Sequence, residues 1–455
     1  MKKIGIKKIA VVAMLCFAAG TVHAKKNAAD LERELSELGM DDLMGGTNAN
    51  NEAIMKYMQE MMENDEIMKS AMEYSKKYME QMAKSDTPLT IAARNGDAAE
   101  VERLIKSKKV DVNAADGTFD FTPLMHAAQH NRADIAKLLI NAGAKVNQKN
   151  KNDVSALFVA CSSNAPDVAK LLVAAGADMN YVQKGDGATP LSMACRDVCF
   201  ETAKVLVEAG ADVNKRIDSI LRKNAKTALM EAASTGSPKV VKLLIDAGAD
   251  VNARDINGFT PLILWGGRDD SLEVGKLLIA AKADVNAKNK YGETALMVVA
   301  RSFSYAAMKL FIDSGADVNA KSNDGMTALM NASGIRGNPS PTGVKMLINA
   351  GADVNAKSNY GFTALHYAAR DNAFSIARTL VAAGANVNAQ NREGATPIMI
   401  AASSIDSGPE AVMEIIAGGA NLGIRANNGW TALEYAREFR LGAIEEVIER
   451  ALKKR

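Results

Sequence analysis

A threonine or serine recurs through the chain at nearly constant intervals, and this periodicity limits the possible fold more than any other feature. Successive members are 33 to 38 residues apart. Such spacing is the signature of stacked repeats, in which each unit packs only against its neighbours. The length of 455 residues therefore sets a number of repeats rather than a number of globular domains. The eleven positions are Thr87, Thr122, Ser155, Thr189, Thr227, Thr260, Thr294, Thr327, Thr363, Thr396 and Thr431.

The segment 361–388 shows what one repeat encodes. Gly361 permits a positive φ at a tight turn, and Thr363 is a good N-cap for a short helix. A second short helix is predicted from about 375 to 383, ended by Gly384. Each helix has only a thin apolar face. The pair therefore cannot form a core alone and must stack on copies of itself.

This segment resembles the ankyrin repeat, whose signature is TPLHxAA, a second helix and GADVN. Here the matching residues read TALHYAA from Thr363 and GANVN from Gly384. The resemblance covers residues 85–455 and implies an all-α repeat solenoid, an array of about eleven helix-turn-helix units with β-hairpin loops. The first and last units carry charged second helices, as expected of N- and C-terminal capping units. We expect protein binding from such an array and nothing narrower.

Residues 1–24 have the pattern of a bacterial-type secretory signal peptide. A lysine-rich start is followed by the apolar stretch 9–19, and small or tolerated residues precede a predicted cut between Ala24 and Lys25. Eleven apolar residues are too few to span a bilayer, which disfavours an uncleaved anchor. We therefore expect a periplasmic or secreted protein with no membrane span in the mature chain.

The charge balance gives no support for nucleic-acid binding. The whole chain has a formal net charge of +2. The first 24 residues hold four lysines and no acid, so the mature chain is slightly acidic. Binding to nucleic acid by a basic field is therefore not expected.

The segment 25–84 lies before the array and is rich in methionine. Residues 52–84 are predicted to form an amphipathic helix that packs on the first repeat or self-associates, since methionine suits adaptable contacts. A partner-binding helix is a second interpretation. A third is a thioether site for Cu(I), because soft ligands select that ion and Met55, Met58 and Met61 recur at MxxM spacing.

No motif of a catalytic or cofactor site occurs, so we expect neither an enzyme nor a cofactor or metal in the array. The three cysteines after residue 24 raise one question. Cys161 and Cys195 occupy equivalent positions in adjacent repeats, about 10 Å apart by general helix packing and beyond disulfide reach. Cys195 and Cys199 lie four residues apart and can pair in an oxidising compartment. Three thiols are the alternative.

Trp265 replaces the small residue expected at the first position of the Ala-Ala pair. A tryptophan there overpacks the space between repeats. Gly266 and Gly267 follow it and can make room. The sequence therefore predicts a distorted first helix in this repeat.

In ankyrin arrays, partners contact the hairpin tips and first helices of the concave face. Aromatic residues at such tips are candidate hot spots, unless they merely pack on the neighbouring hairpin. Phe259 and Phe362 remain open between these alternatives, whereas Tyr291, Tyr360 and Trp430 are expected to be exposed. The predicted protein-binding residues are Phe121, Phe259, Tyr291, Met326, Tyr360, Phe362 and Trp430 at the tips, with His126 and Tyr367 on adjoining first helices.

These observations favour a non-enzymatic scaffold that binds an unidentified protein in the periplasm or outside the cell. Handling of Cu(I) by the Met-rich helix is an alternative of a different class. A secreted protein acting on a host or competitor cell is another.

Overall fold

A computed structural model describes residues 86–117, 120–184, 187–215, 226–267, 271–302, 304–334, 340–404 and 408–454. The predicted signal peptide, its predicted Ala24–Lys25 cleavage site, the segment 25–84 and the possible copper site therefore lie outside the described residues.

Eleven pairs of short α-helices account for the regular structure of the described chain. Odd-numbered helices are the first of each pair and even-numbered helices the second, and the pairs define repeats 1 to 11. The helices are α1 Pro88–Asn95, α2 Ala98–Lys106, α3 Pro123–Gln129, α4 Ala133–Asn141, α5 Ala156–Ser162, α6 Pro166–Ala174, α7 Pro190–Arg196, α8 Phe200–Glu208, α9 Ala228–Thr235, α10 Pro238–Asp246, α11 Pro261–Trp265, α12 Leu272–Ala280, α13 Ala295–Val299, α14 Tyr305–Asp313, α15 Ala328–Ser333, α16 Thr342–Asn349, α17 Ala364–Arg370, α18 Phe374–Ala382, α19 Pro397–Ala401, α20 Pro409–Ala417, α21 Ala432–Glu438 and α22 Gly442–Lys453.

The periodic threonines and serine open the first helices, as the sequence predicts. Thr122 is the N-cap of α3, and its hydroxyl accepts a hydrogen bond from the Met125 backbone N–H at 3.3 Å. Ser155 does the same for α5. Each cap satisfies one of the backbone donors that a helix start leaves without a partner. The recurring hydroxyl residue therefore fixes where each repeat begins.

The chain divides into two compact bodies. The smaller includes the described residues 86–91, 114–117 and 120–121, and the larger includes 92–113 and the chain from Thr122 onward. In the smaller body, the Asp116 N–H donates to the Phe121 carbonyl at 2.8 Å. The Asp116 carboxylate accepts from the Phe121 N–H at 3.1 Å, which closes a loop.

In the larger body, first helices pack on first helices and second helices on second helices. Small residues allow this close approach: Ala232 and Ala233 in α9 are fully buried, as are Ala368 and Ala369 in α17. Leucines of the second helices, such as Leu244 and Leu380, fill the remaining space. The core is thus continuous along the stack, and no single repeat contains it.

The connections that we expected to be β-hairpins contain no regular strand within the described residues. One isolated antiparallel bridge joins Lys149 and Ser155. Elsewhere the loops are turns closed by side-chain and backbone hydrogen bonds. These turns are too short for a ladder of paired residues, so the prediction of hairpins is corrected to tight turns.

Trp265 ends its helix, and the distortion that the sequence predicts is present. Gly266 and Gly267, which follow it, both have left-handed φ values of 63° and 71°. The indole is fully buried and donates from Nε1 to the Ser271 hydroxyl at 3.2 Å. The adjacent glycines are not what makes room for the ring. Gly275 of α12 does so, because a Cβ there would lie 2.5 Å from the indole.

Candidate protein-binding surface

Six tight turns between Asp255 and Trp430 have a common geometry. In the turn at 358–362, the Ser358 N–H donates to the Phe362 carbonyl and the Gly361 N–H donates to the Ser358 carbonyl, both at 2.9 Å. Gly361 has φ of 80°, which a side chain would disfavour. We call these six turns the tip surface; its members are 255–259, 289–293, 322–326, 358–362, 391–395 and 426–430.

The tips are joined to one another by backbone hydrogen bonds that we call the tip ladder. The Asn323 N–H donates to the Tyr291 carbonyl at 2.9 Å, and the Arg392 N–H donates to the Tyr360 carbonyl at 3.0 Å. Equivalent bonds complete the ladder, so each tip is held in register with the next. The remaining bonds run from the backbone N–H groups of Lys290, Asn359 and Asn427 to the carbonyls of Asn257, Asp324 and Glu393, respectively.

A second row of hydrogen bonds, the base ladder, joins the repeats where each second helix has ended. The Asn319 side-chain oxygen accepts from the Asp353 N–H at 2.8 Å, and its amide group donates to the Gly351 carbonyl at 3.0 Å. These two bonds explain why an asparagine recurs at this position of the repeat. The acceptor bond is formed by Asn113, Asn147, Asn180, Asn214, Asn252, Asn286, Asn319, Asn355 and Asn388.

Two predicted tip residues are strongly exposed. Tyr291 is 51% exposed and Tyr360 is 59% exposed. A cation lies over each ring: the Lys290 ammonium is 5.0 Å from the centre of Tyr291, and the Arg392 guanidinium is 6.0 Å from that of Tyr360. Such cation–π contacts hold the rings in place without covering them.

Other predicted tip residues are half-buried because they pack on a first helix of their own or the next repeat. The rings of Trp430 and Tyr435 meet edge-on at 5.2 Å, so Trp430 is less exposed than expected. Phe362 lies 5.7 Å from Tyr367, ring centre to ring centre. The Tyr367 hydroxyl donates to the sulfur of Met326 at 3.0 Å.

Phe121 and Phe259, also predicted at tips, are half-buried as well. Phe259 closes its turn by donating its backbone N–H to the Asp255 carboxylate at 2.8 Å.

His126 does not line an accessible wall as predicted. Its side chain is only 2% exposed, in the buried face of α3. It lies four residues after Thr122, and in this helix that position turns inward. A buried ring cannot contact a partner, so His126 is withdrawn from the candidate surface.

One exposed apolar residue of the tip surface is not among the predicted residues. Ile256 is 57% exposed in the first of the six turns. The predicted tip residues lie just before the helix-opening threonine, whereas Ile256 directly follows the turn residue Asp255. Its signal was an isoleucine inside an Asp-x-Asn-Gly turn, where the side chain has no core to enter.

The three described cysteines form no disulfide, so of the two alternatives the structure has the three thiols and not the Cys195–Cys199 pair. Cys161, Cys195 and Cys199 are all free and buried. Cys195 lies within α7, whereas the thiol of Cys199 is directed to the carbonyls of Asp197 and Ser162, at 3.5 and 4.0 Å. Burial raises the pKa of all three thiols, so they behave as small apolar residues.

The described residues contain no group of three or more His, Cys, Asp or Glu side chains that could hold a metal ion. Within the same residues, none of the helices has both the length and the apolar character needed to cross a bilayer.

Comparison with known protein families agrees with the helix pairs. A model described as ankyrin repeats in three copies matches residues 50–150, 143–217, 216–289, 264–358 and 296–391. The chain belongs to the ankyrin repeat family. A second ankyrin repeat model, of many copies, matches residues 380–436. Ankyrin repeats are protein-binding modules and are generally non-enzymatic, so this chain carries a protein–protein interaction scaffold.

The curated relatives share only part of this array. The chain is 34% identical over 79 residues to the 2-5A-dependent ribonuclease of Mus musculus, which is 17% of this chain and 11% of that protein. It is 38% identical over 77 residues to alpha-latrocrustotoxin-Lt1a of Latrodectus tredecimguttatus, 17% of this chain and 5% of the toxin. It is 39% identical over 70 residues to ankyrin repeat and SAM domain-containing protein 6 of Rattus norvegicus, which is 15% of this chain and 8% of that protein. The chain thus spans at most about a tenth of these relatives.

Proposed function

We propose that this ankyrin repeat protein is a non-enzymatic scaffold that a bacterial cell exports to its periplasm or beyond. It binds a partner protein through the tip surface and the adjoining first helices. The signal-peptide pattern of residues 1–24 supports export, and the repeat array supports protein binding.

One observation carries the choice of surface. The tip ladder fixes the turns in register, and two of those turns present tyrosines that are more than half exposed. Tyrosine supplies a large contact area at a low cost in conformational entropy and is enriched among interface hot spots. A rigid row of such residues loses little freedom on binding, which favours affinity.

The test is capture of a partner from the native cell envelope by the mature protein, beside a variant carrying Tyr291→Ala and Tyr360→Ala. Both side chains are exposed, so the variant is expected to fold. The half-buried Phe259, Phe362 and Trp430 are left unchanged, because truncating them disturbs the turns. We expect a partner that the wild type captures and the variant loses.

A matched control carries Met413→Ala and Phe439→Ala, two exposed apolar residues outside the tip surface with exposed fractions of 47% and 43%. This control is expected to retain the partner. Equal retention by both variants would place the contact elsewhere.

Export is tested separately, by fractionating cells that produce the full chain and sequencing the N-terminus of the product. We expect a product that begins at Lys25 in the periplasm or medium. An intact N-terminus in the cytoplasm would overturn the export proposal but not the binding surface.

A further inference from the structure

The base ladder and the tip surface together form what we call the loop edge of the array. Three lysines of this edge are fixed in place by the repeat that follows each of them. The Lys288 ammonium donates to the Lys321 carbonyl at 2.9 Å, and the Lys321 ammonium donates to the Lys357 carbonyl at 3.2 Å. The Lys357 ammonium continues the series by donating to the Gln390 carbonyl at 2.8 Å. We call these three lysines the basic row. Each ammonium has three donors, and these bonds use one of them.

The basic row differs from the lysines on the second helices of the same stack. Within the described residues, none of its ammonium groups forms an ion pair, although all three side chains are exposed. On the second helices, Lys309 pairs with Asp313 at 2.9 Å and Lys276 lies 3.6 Å from Glu273. The basic row therefore keeps its positive charge available to a ligand, whereas Lys276 and Lys309 on the second helices are already paired with carboxylates.

Acidic residues near the basic row are mostly engaged. The Asp317 carboxylate accepts a hydrogen bond from the Asn319 backbone N–H at 2.9 Å. Asp317 precedes this base-ladder asparagine in the sequence, whereas Lys321 follows it. Asp284 and Asp353 are bound in the same way. At the tips, Glu293 pairs with Arg301 at 3.1 Å. Asp324 and Glu393 also lie on the tip surface, but Lys290 and Arg392 there offset their charge.

The spacing of the row selects the shape of a ligand. Stacked helices lie about 8–10 Å apart, so equivalent residues of neighbouring repeats recur at that interval. A polyproline II segment has three residues per turn and rises about 3.1 Å per residue, or roughly 9 Å per turn. Carboxylates at every third residue of such a segment therefore recur with the period of the row.

We propose that Lys288, Lys321 and Lys357 bind an extended acidic segment of a partner protein, with Asp or Glu at every third residue. This proposal rests on the proposed function, since it assigns chemistry to a partner at the same loop edge. A flexible lysine loses side-chain entropy when it is immobilised. Here the bond to the next repeat has already ordered the side chain, so less is lost when a carboxylate binds.

The probe is a synthetic peptide of repeated Glu-Pro-Pro, labelled for fluorescence anisotropy and titrated with the mature protein at low salt. We expect saturable binding that weakens as salt is raised. A repeated Gln-Pro-Pro peptide is expected not to bind. A peptide of the same composition with its glutamates clustered at one end is expected to bind several-fold more weakly, because its charges do not match the spacing.

The decisive variant carries Lys288→Gln, Lys321→Gln and Lys357→Gln. Each exposed ion pair contributes little by itself, so losing three weakens binding on the order of tenfold. The matched control carries Lys276→Gln, Lys309→Gln and Lys345→Gln, with the same charge change and the same spacing along the sequence. It is expected to bind like the wild type.

Equal weakening in both variants would show a response to net charge and overturn the proposal. So would tight binding of the clustered peptide, or no binding of the spaced one. Binding of a single-stranded oligonucleotide, lost equally in the loop variant, would assign the row to polyanions in general and also overturn it. If the proposal fails while the tyrosine variant still loses its captured partner, the proposed function stands without it.

Discussion

The loop edge and the helix seam join the same repeats by different means. At the loop edge, polar groups recur in register, and nearly every repeat contributes an asparagine to the base ladder. In the seam, where first helices pack together, the residue three after each opening threonine varies. It is buried methionine in five repeats, as in Met330, but it is His366 in repeat 9. Hydrogen bonds need fixed geometry, whereas apolar packing needs only volume.

The comparison predicts that substitutions at the two regions fail in different ways. A loop-edge residue can be exchanged only for one with the same hydrogen bonds or the same backbone freedom. A seam residue can be exchanged whenever a neighbour compensates the volume, as Gly275 does for Trp265. The exception in the seam is His366, which is both buried and hydrogen-bonded between repeats.

The largest expected effect is a loss of stability on acidification that depends on His366. Its Nδ1 accepts the Thr363 backbone N–H at 3.0 Å, so the ring proton is on Nε2 and is donated to the Ala395 carbonyl at 3.2 Å. Burial lowers the pKa of His366 to about 4, below the ordinary value of 6.5. Protonation therefore favours the unfolded chain, and stability falls from about pH 6.5 to pH 4. The difference corresponds to about 3 kcal/mol.

The measurement is urea unfolding across this pH range. His366→Met uses the residue found at this position in other repeats, and it is expected to flatten this part of the profile. An unchanged slope in the variant would show that other groups cause the acid sensitivity and that His366 is an ordinary seam residue.

The next effect concerns volume in the seam. In Gly275→Ala, the new methyl group would lie 2.5 Å from the Trp265 ring and 3.0 Å from Leu310. Overpacking of this kind outweighs the better helix propensity of alanine, and we expect a loss of about 2–3 kcal/mol in thermal or urea unfolding. Trp265→Phe in the same chain should recover part of that loss. Additive effects of the two substitutions would contradict direct compensation.

At the loop edge, Asn319→Ala is expected to cost about 1–2 kcal/mol. It removes an acceptor for the Asp353 N–H and a donor to the Gly351 carbonyl, each worth about 1 kcal/mol. Asn388 is the internal comparison, because in the described chain its side chain forms only the acceptor bond to the Asn421 N–H, at 2.7 Å. Asn388→Ala should cost about half as much in urea unfolding. Equal costs would mean that the number of ladder bonds does not set stability.

The sequence predicted the parts of this fold that repeat. The helix starts followed from the threonines, and the family followed from TALHYAA and GANVN. Both were predictable because similar local sequence signals recur in eleven repeats. Individual departures were harder. The inward turn of His126 and the partner of Trp265 depend on contacts with another helix, which no local pattern encodes. The basic row could not be predicted from the sequence for the same reason, because each lysine is held by a carbonyl more than thirty residues away.

The smallest effect is a gain in stability at the loop edge. After most second helices the chain has a glycine with φ near 85°, such as Gly315 and Gly351, but repeat 6 has Lys282 at φ 71°. A left-handed conformation costs a lysine about 1–2 kcal/mol, and the added freedom of glycine in the unfolded chain offsets part of the relief. Lys282→Gly should therefore stabilise the protein by about 0.5–1 kcal/mol in urea unfolding. The converse change, Gly315→Lys, has open space around its Cβ, so it isolates the backbone term and should cost a similar amount. If Lys282→Gly is neutral while Gly315→Lys is costly, other contacts of the lysine must already compensate the strain, and the edge would share the tolerance of the seam.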